Sequence, residues 1–227
     1  MEILQTGFTL ELAPGAFPLS TDSMVLGHFT KLPRQARVLD LGSGCGTLGL
    51  MLCAKDAGCR ITGVELDENA HAAALENIRR NGVTHRMQSL CADLCTLELT
   101  PGSFDVCITN PPYFSGGPAS TRTPLARRED RCPPEQLLAC AARHVKYGGD
   151  VFLVHKPERM AQFIALAGKY GLEAKRLCLV RHQQAGEVTL VLLHFRKGGK
   201  PGLIWEEACL FDSHGAPTDY YREVYHL

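Results

Sequence analysis

From residue 36 onward the sequence predicts an α/β fold, a largely parallel sheet that closes in an antiparallel pair. Three observations carry this. Short β-rich runs alternate with helical patterns, and a glycine-rich turn directly follows the first run. The last two runs, 172–181 and 187–196, are separated only by a loop at 182–186, too short for a parallel crossover.

Taken in order, 36–41 reads as the first strand, followed by the turn and a helix over about 47–57. The second strand is 60–66. The helix after it, Glu68–Arg80, sets Ala70, Ala73, Ala74 and Ile78 at helical spacing and stops at Asn81-Gly82. Strands at 87–92 and 104–109 come next. Residues 115–133 lack periodicity and are rich in Ser, Gly, Pro and Arg, so they read as a long loop, and loops of that length are usually functional or disordered. A helix at 134–145, a strand at 150–155 and a helix at 157–170 opened by proline lead to the final pair, which brings the strands to seven. The tail, 197–227, reads as helix-free. The expected organisation is one domain, 1–227, with a segment at 1–35 before a core at 36–200 and a tail at 201–227.

Composition narrows the class. With 45% hydrophobic and 21% charged residues, the chain is an ordinary globular protein, and no apolar run approaches the roughly 18 residues that cross a bilayer. The first 12 residues hold two acids and no base, unlike a signal peptide, so a cytoplasmic location is expected. Ten cysteines lie scattered, several within apolar runs, with no C-x-x-C pair, so reduced thiols and no metal are expected. The net charge is zero, yet residues 119–200 carry 15 Lys and Arg against 7 Asp and Glu. That bias fits either one basic face toward a polyanion or ordinary solvated helix surfaces.

The chemistry concentrates where strands end. The first runs into Asp40-Leu41-Gly42-Ser43-Gly44-Cys45-Gly46, a G-x-G-x-G turn. Its third glycine falls one place early for the dinucleotide fingerprint, and an acid so close to the first glycine repels a pyrophosphate while suiting a cationic ligand. Glu65 ends the second strand, where a carboxylate can accept from ribose hydroxyls. Asp93 follows the third, placed either to accept from an adenine amino group or simply to make a turn. The fourth strand runs into Asn110-Pro111-Pro112-Tyr113. Two prolines cannot continue a central strand. The Asn110 side-chain oxygen and the Pro111 carbonyl can each accept one hydrogen of a planar amino group, and Tyr113 offers a face for stacking.

Together, Asp40–Gly46, Glu65, Asp93 and Asn110–Tyr113 resemble a class I, Rossmann-like methyltransferase with the N-P-P-Y motif. Almost end to end the chain is similar to bacterial tRNA (adenine-N6)-methyltransferases acting on the anticodon loop of valine tRNA. Phe17 to Leu26 resembles that family's segment before the sheet, and its Thr21-Asp22 pair would lie near the methionine end of the cofactor. Leu125 to Glu129 resembles its substrate-side loop, and 155–159, 197–200 and 215–223 its later landmarks. The resemblance implies S-adenosylmethionine as cofactor and methyl transfer to an adenine N6 in tRNA, and a monomer or weak dimer is expected. Arg122, Arg127, Arg128 and Arg131, in the long loop, are candidates for phosphate contact or for stacking on flipped bases.

Two rivals stay open. A protein-glutamine methyltransferase acts on the same kind of planar nitrogen with the same motif, but carries a helical domain for which about 35 residues before the first strand leave too little chain. A non-catalytic cofactor- or RNA-binding module is the other, and the intact Asn110 and Tyr113 count against it.

Overall fold

The computed structural model describes residues 2–3, 7–13, 19–111 and 133–226. A small antiparallel pair, β1 (Glu2–Ile3) and β2 (Thr9–Leu10), precedes helix α1 (Thr21–Phe29). Then follow β3 (Arg37–Leu41), α2 (Thr47–Lys55), β4 (Arg60–Glu65), α3 (Glu68–Arg80), β5 (Met87–Cys91) and β6 (Phe104–Thr109). Further along the chain come α4 (Pro134–His144), β7 (Val145–His155), α5 (Met160–Lys169), β8 (Leu172–Gln183), β9 (Val188–Lys197), β10 (Ile204–Phe211) and α6 (Asp219–Tyr225).

One sheet runs in the order β10-β8-β9-β7-β6-β3-β4-β5. β3 to β7 are mutually parallel, and β9 is antiparallel to both β7 and β8. Successive strand residues face opposite sides. Val38, Ile108, Phe152 and Leu192 therefore meet α1, α2, α3 and α6 on one face, while Leu39, Cys107, Leu153 and Leu193 meet α4 and α5 on the other. Each such fully buried aliphatic or aromatic side chain contributes roughly 1.5–3 kcal/mol.

The structure departs from the sequence expectation in two elements. The sheet has eight strands rather than seven, because 204–211 adds β10 parallel to β8, and Arg176 and Arg181 pair with its Glu206 and Glu207. The tail is not free of helix. Thr218 caps α6 by accepting from the Tyr221 amide at 3.2 Å, and Val224 is fully buried against the first core face. Smaller differences have local causes. β7 begins five residues earlier than expected, at Val145, because the register shift between Phe104 and Val106 absorbs Gly148-Gly149. The helix expected at 157–170 opens as a 3-10 turn, Pro157–Arg159, before α5.

α1 packs closely on α2: a Cβ on Gly27 would lie 2.6 Å from Met51 Cε. The N-terminal strand segment is laced to α3. The buried Asn77 side chain accepts from Glu11 N at 2.8 Å and donates to Glu11 O at 2.8 Å and Cys45 O at 3.0 Å. Asn81 makes the same two-way bond with the Thr9 backbone, at 2.8 and 2.7 Å. Among the described residues no helix is long and apolar enough to cross a membrane.

Candidate active site

The parallel register brings the ends of four strands to one edge: Leu41 pairs with both Val64 and Thr109, and Glu65 with Cys91. Open α/β sheets hold ligands at this carboxyl edge. Gly42, Gly44 and Gly46 leave β3 with φ of +70°, +55° and +86°. Among the described residues, a Cβ at Gly42 or Gly44 would meet no heavy atom within 4 Å, so the loop presents bare backbone. The Val64 carbonyl holds the turn by accepting from Gly42 N at 2.9 Å and Ser43 N at 3.0 Å. Gly63 is a signal the sequence reading passed over: its Cβ would sit 2.8 Å from Ser43 Oγ, so a side chain there would displace Ser43 from β4.

Three acids surround the turn. Glu65 uses both oxygens, Oε2 accepting from Gly44 N and Oε1 from Asp67 N, each at 2.8 Å. Asp93 caps a 3-10 turn at 94–96 by accepting from Cys95 N at 2.8 Å, which occupies one of its oxygens. Asp40 differs, with 0% exposure and no hydrogen bond of good geometry to either oxygen. Burial pushes its carboxyl up to about 7, and the Glu65 charge adds to this. The Gly49 amide in the first turn of α2 offsets only part of the rise.

Asn110 and Pro111 stand at the end of β6, and Thr109 Oγ1 donates to Leu41 O at 2.8 Å, which ties this strand end to the one that leads into the glycine loop. Asn110 Nδ2 donates to Ser23 Oγ on α1 at 3.1 Å. In the same first turn Asp22 lies partly exposed and Thr21 Oγ1 accepts from Tyr225 Oη of α6 at 3.1 Å. Ser23 and Tyr225 are contacts the sequence reading missed. The i to i+3 spacing of Ser20 and Ser23 signals a helix start, but nothing in it points at residue 110. Pro112, Tyr113, Arg122, Arg127, Arg128 and Arg131 lie outside the described residues.

This edge fits a cationic nucleoside cofactor. Among the described residues, the Asp40 carboxyl and the buried Ser43 Oγ find no hydrogen-bond partner of good geometry. The open backbone at Gly42 and Gly44 provides the cradle, and Glu65 and Asp93 each retain lone pairs for hydroxyl or amino donors. A groove of about 670 Å³ lined by Arg37, Arg60, His85 and Arg86 opens at the opposite, amino ends of β3, β4 and β5, away from these acids. Among the described residues no cluster of His, Cys, Asp and Glu is arranged to hold a metal ion, and the nine described cysteines are free.

The architecture is the Rossmann-like fold of S-adenosylmethionine-dependent methyltransferases. A predicted O-methyltransferase from Agrobacterium tumefaciens superposes with a TM-score of 0.76 at 20% identity, over 91% of this chain and 96% of that one. A TehB-like SAM-dependent methyltransferase from Corynebacterium glutamicum gives 0.56 at 20% identity, over 78% and 89%. More narrowly, the chain belongs to the family described as methyltransferase small domain, which matches residues 20–172. It is 34% identical over 187 residues to the tRNA1(Val) (adenine(37)-N6)-methyltransferase of Aeromonas hydrophila, covering 81% of this chain and 78% of that protein. To the protein of that name from Tolumonas auensis it is 36% identical, over 78% and 76%.

Proposed function

We propose that this protein transfers a methyl group from S-adenosylmethionine to the exocyclic N6 of an adenine in the anticodon loop of a tRNA. The observation that carries the reading is the position of Asn110 and Pro111 at the end of β6, tied by the Thr109–Leu41 hydrogen bond to the strand that leads into the glycine loop. Relatives of 34% and 36% identity bear the name of that reaction.

Gly42, Gly44 and Gly46 cradle the cofactor, Asp40 and the Thr21-Asp22 pair face its charged methionine end, Glu65 takes its ribose and Asp93 its adenine. When bound, the cofactor supplies a methyl already activated by positive sulfur, so the protein contributes position and electrostatics. Asn110 Oδ1 and the Pro111 carbonyl each accept one hydrogen of the substrate amine, with Pro112 fixing the turn and Tyr113 stacking on the base. No side-chain base is required, because the nitrogen sheds its proton after transfer. The target base leaves its stack to reach Asn110, and Arg122, Arg127, Arg128 and Arg131 hold flanking phosphates. The chain acts as a single cytoplasmic domain, monomeric or weakly dimeric, with its N-terminal segment closing over the cofactor. Asn77, which bonds both Glu11 and Cys45 of the glycine loop, supports that closure.

The test is transfer of labelled methyl from the cofactor to bulk bacterial tRNA, followed by nucleoside analysis. Label recovered as N6-methyladenosine and lost in Asn110→Ala, with cofactor affinity kept, is the expected result. Label absent from RNA but present on protein glutamine when lysate is supplied would overturn it.

A further inference from the structure

Asn110 can serve an amine only in one of its two amide orientations. Its oxygen must face the substrate, since the nitrogen end would set donor against donor. Ser23 supplies a partner for the nitrogen end. Asn110 Nδ2 donates to Ser23 Oγ at 3.1 Å, across 87 residues of sequence. Ser23 is itself held: it is 8% exposed, on the first turn of α1. Its amide donates to Ser20 Oγ at 3.2 Å, and the Ser20 hydroxyl, 3.3 Å away, donates back to Ser23 Oγ. Here a serine occupies the third helical position, where a capping box carries a glutamate or glutamine. The Ser20–Ser23 pair fixes the helix start and presents an acceptor to Asn110 at the end of β6 at the same time.

We infer that Ser23 is a positioning residue for Asn110: by accepting from Nδ2 it selects the amide orientation that points Oδ1 at the reacting amine. α1 is then part of the catalytic apparatus, and does more than cover the sheet. Packing holds it in place, through the close approach of Gly27 to Met51 and the bond from Tyr225 to Thr21. The inference rests on Asn110 receiving the substrate amine, as proposed above.

The experiment is single-turnover methyl transfer to tRNA by wild type, Ser23→Ala, Ser23→Thr, Asn110→Ala and the Ser23→Ala/Asn110→Ala double variant. Cofactor affinity, tRNA affinity and Tm are measured on each. Ser23→Ala is expected to slow the transfer step about tenfold, with both affinities within about twofold of wild type and Tm nearly unchanged. Ser23→Thr keeps the hydroxyl and restores most of the rate. In the Asn110→Ala background, removing Ser23 costs nothing more, because its effect runs through the missing amide. A wild-type rate in Ser23→Ala overturns the inference. So does an equal loss in Ser23→Thr, a loss that adds in full to that of Asn110→Ala, or one that appears in Tm and affinity instead of rate. A wild-type rate in Asn110→Ala would bring down the catalytic reading itself, and is told apart by appearing in that variant alone.

Discussion

Glu65 Oε2 accepts from the Gly44 amide at 2.8 Å while Oε1 accepts from the Asp67 amide at the same distance, so one carboxylate ties the glycine loop to the start of α3. The acid assigned to the ribose therefore also shapes the cradle. Hydrogen bonds to a charged group contribute about 1.5–3 kcal/mol each. Glu65→Ala should weaken cofactor binding by about tenfold or more, as read by calorimetry. Glu65→Gln should fall between, because its amide nitrogen can accept from neither backbone group. Affinity unchanged in Glu65→Ala would remove this residue from the site.

Asp40 is a fully buried acid whose charged form the fold disfavours. Its folded carboxyl titrates at about 7 against 3.8 unfolded. The folded state therefore holds this proton through that window, and stability is lost as pH rises from about 4 through 7. The full cost is roughly 4 kcal/mol. Asp40→Asn should accordingly stabilise the ligand-free protein at pH 8 and hardly change it at pH 4, by urea unfolding. The same variant should bind the cofactor more weakly and lose the rise in affinity expected for wild type between about pH 5.5 and 7. Equal stabilisation at pH 4 and pH 8 would contradict the assignment.

His155 works in the opposite direction. It is 1% exposed and lies 4.8 Å from the Phe163 ring, and burial pushes its imidazole down to about 4 from 6.5. Below pH 6.5 the unfolded chain takes up a proton that the folded state refuses until about pH 4, so stability falls with pH across that window. The cost is on the order of 3 kcal/mol. In wild type the Asp40 contribution offsets it over the same range. The Asp40→Asn variant should therefore lose about 3 kcal/mol between pH 6.5 and 4, and adding His155→Gln should flatten its profile. A flat profile in Asp40→Asn alone would show that the histidine does not carry the effect.

What the sequence revealed follows from which signals are local. Glu68–Arg80 and Phe104–Thr109 were legible because each pattern ends in local punctuation: Asn81-Gly82 for the helix and the Asn110-Pro111 break for the strand. Asp40, Gly42, Gly44, Gly46, Glu65, Asp93 and Asn110 were legible as strand-end residues for the same reason. α1 was hidden because six of its nine residues are buried, so it shows no amphipathic stripe. β10 was hidden because Glu206 and Glu207 interrupt its apolar pattern, and their partners Arg176 and Arg181 belong to another strand. The bond from Ser23 to Asn110 spans 87 residues, and no periodicity encodes a contact made only once the sheet exists.

The last helix ties the tail to the site. Val224 of α6 is fully buried against the core face that also holds Leu26 and Phe29 of α1, and Tyr225 reaches Thr21 on the first turn of α1. Deleting two buried methyl groups in Val224→Ala should cost about 2 kcal/mol, transfer and cavity terms together. That lowers Tm by roughly 4–8 °C for a chain of this size. Tyr225→Phe removes only the hydroxyl and should cost about 1 kcal/mol. Because α1 carries both Thr21 and Ser23, Tyr225→Phe should also slow methyl transfer by more than its small effect on Tm would suggest. Thermal unfolding and single-turnover rates on the two variants separate these effects. Val224→Ala should act mainly through stability and be rescued by assaying at lower temperature, whereas Tyr225→Phe should stay slow at every temperature at which it is folded. Full rescue of both by cooling would mean that α6 supports the fold and has no influence on the turn that holds Asn110.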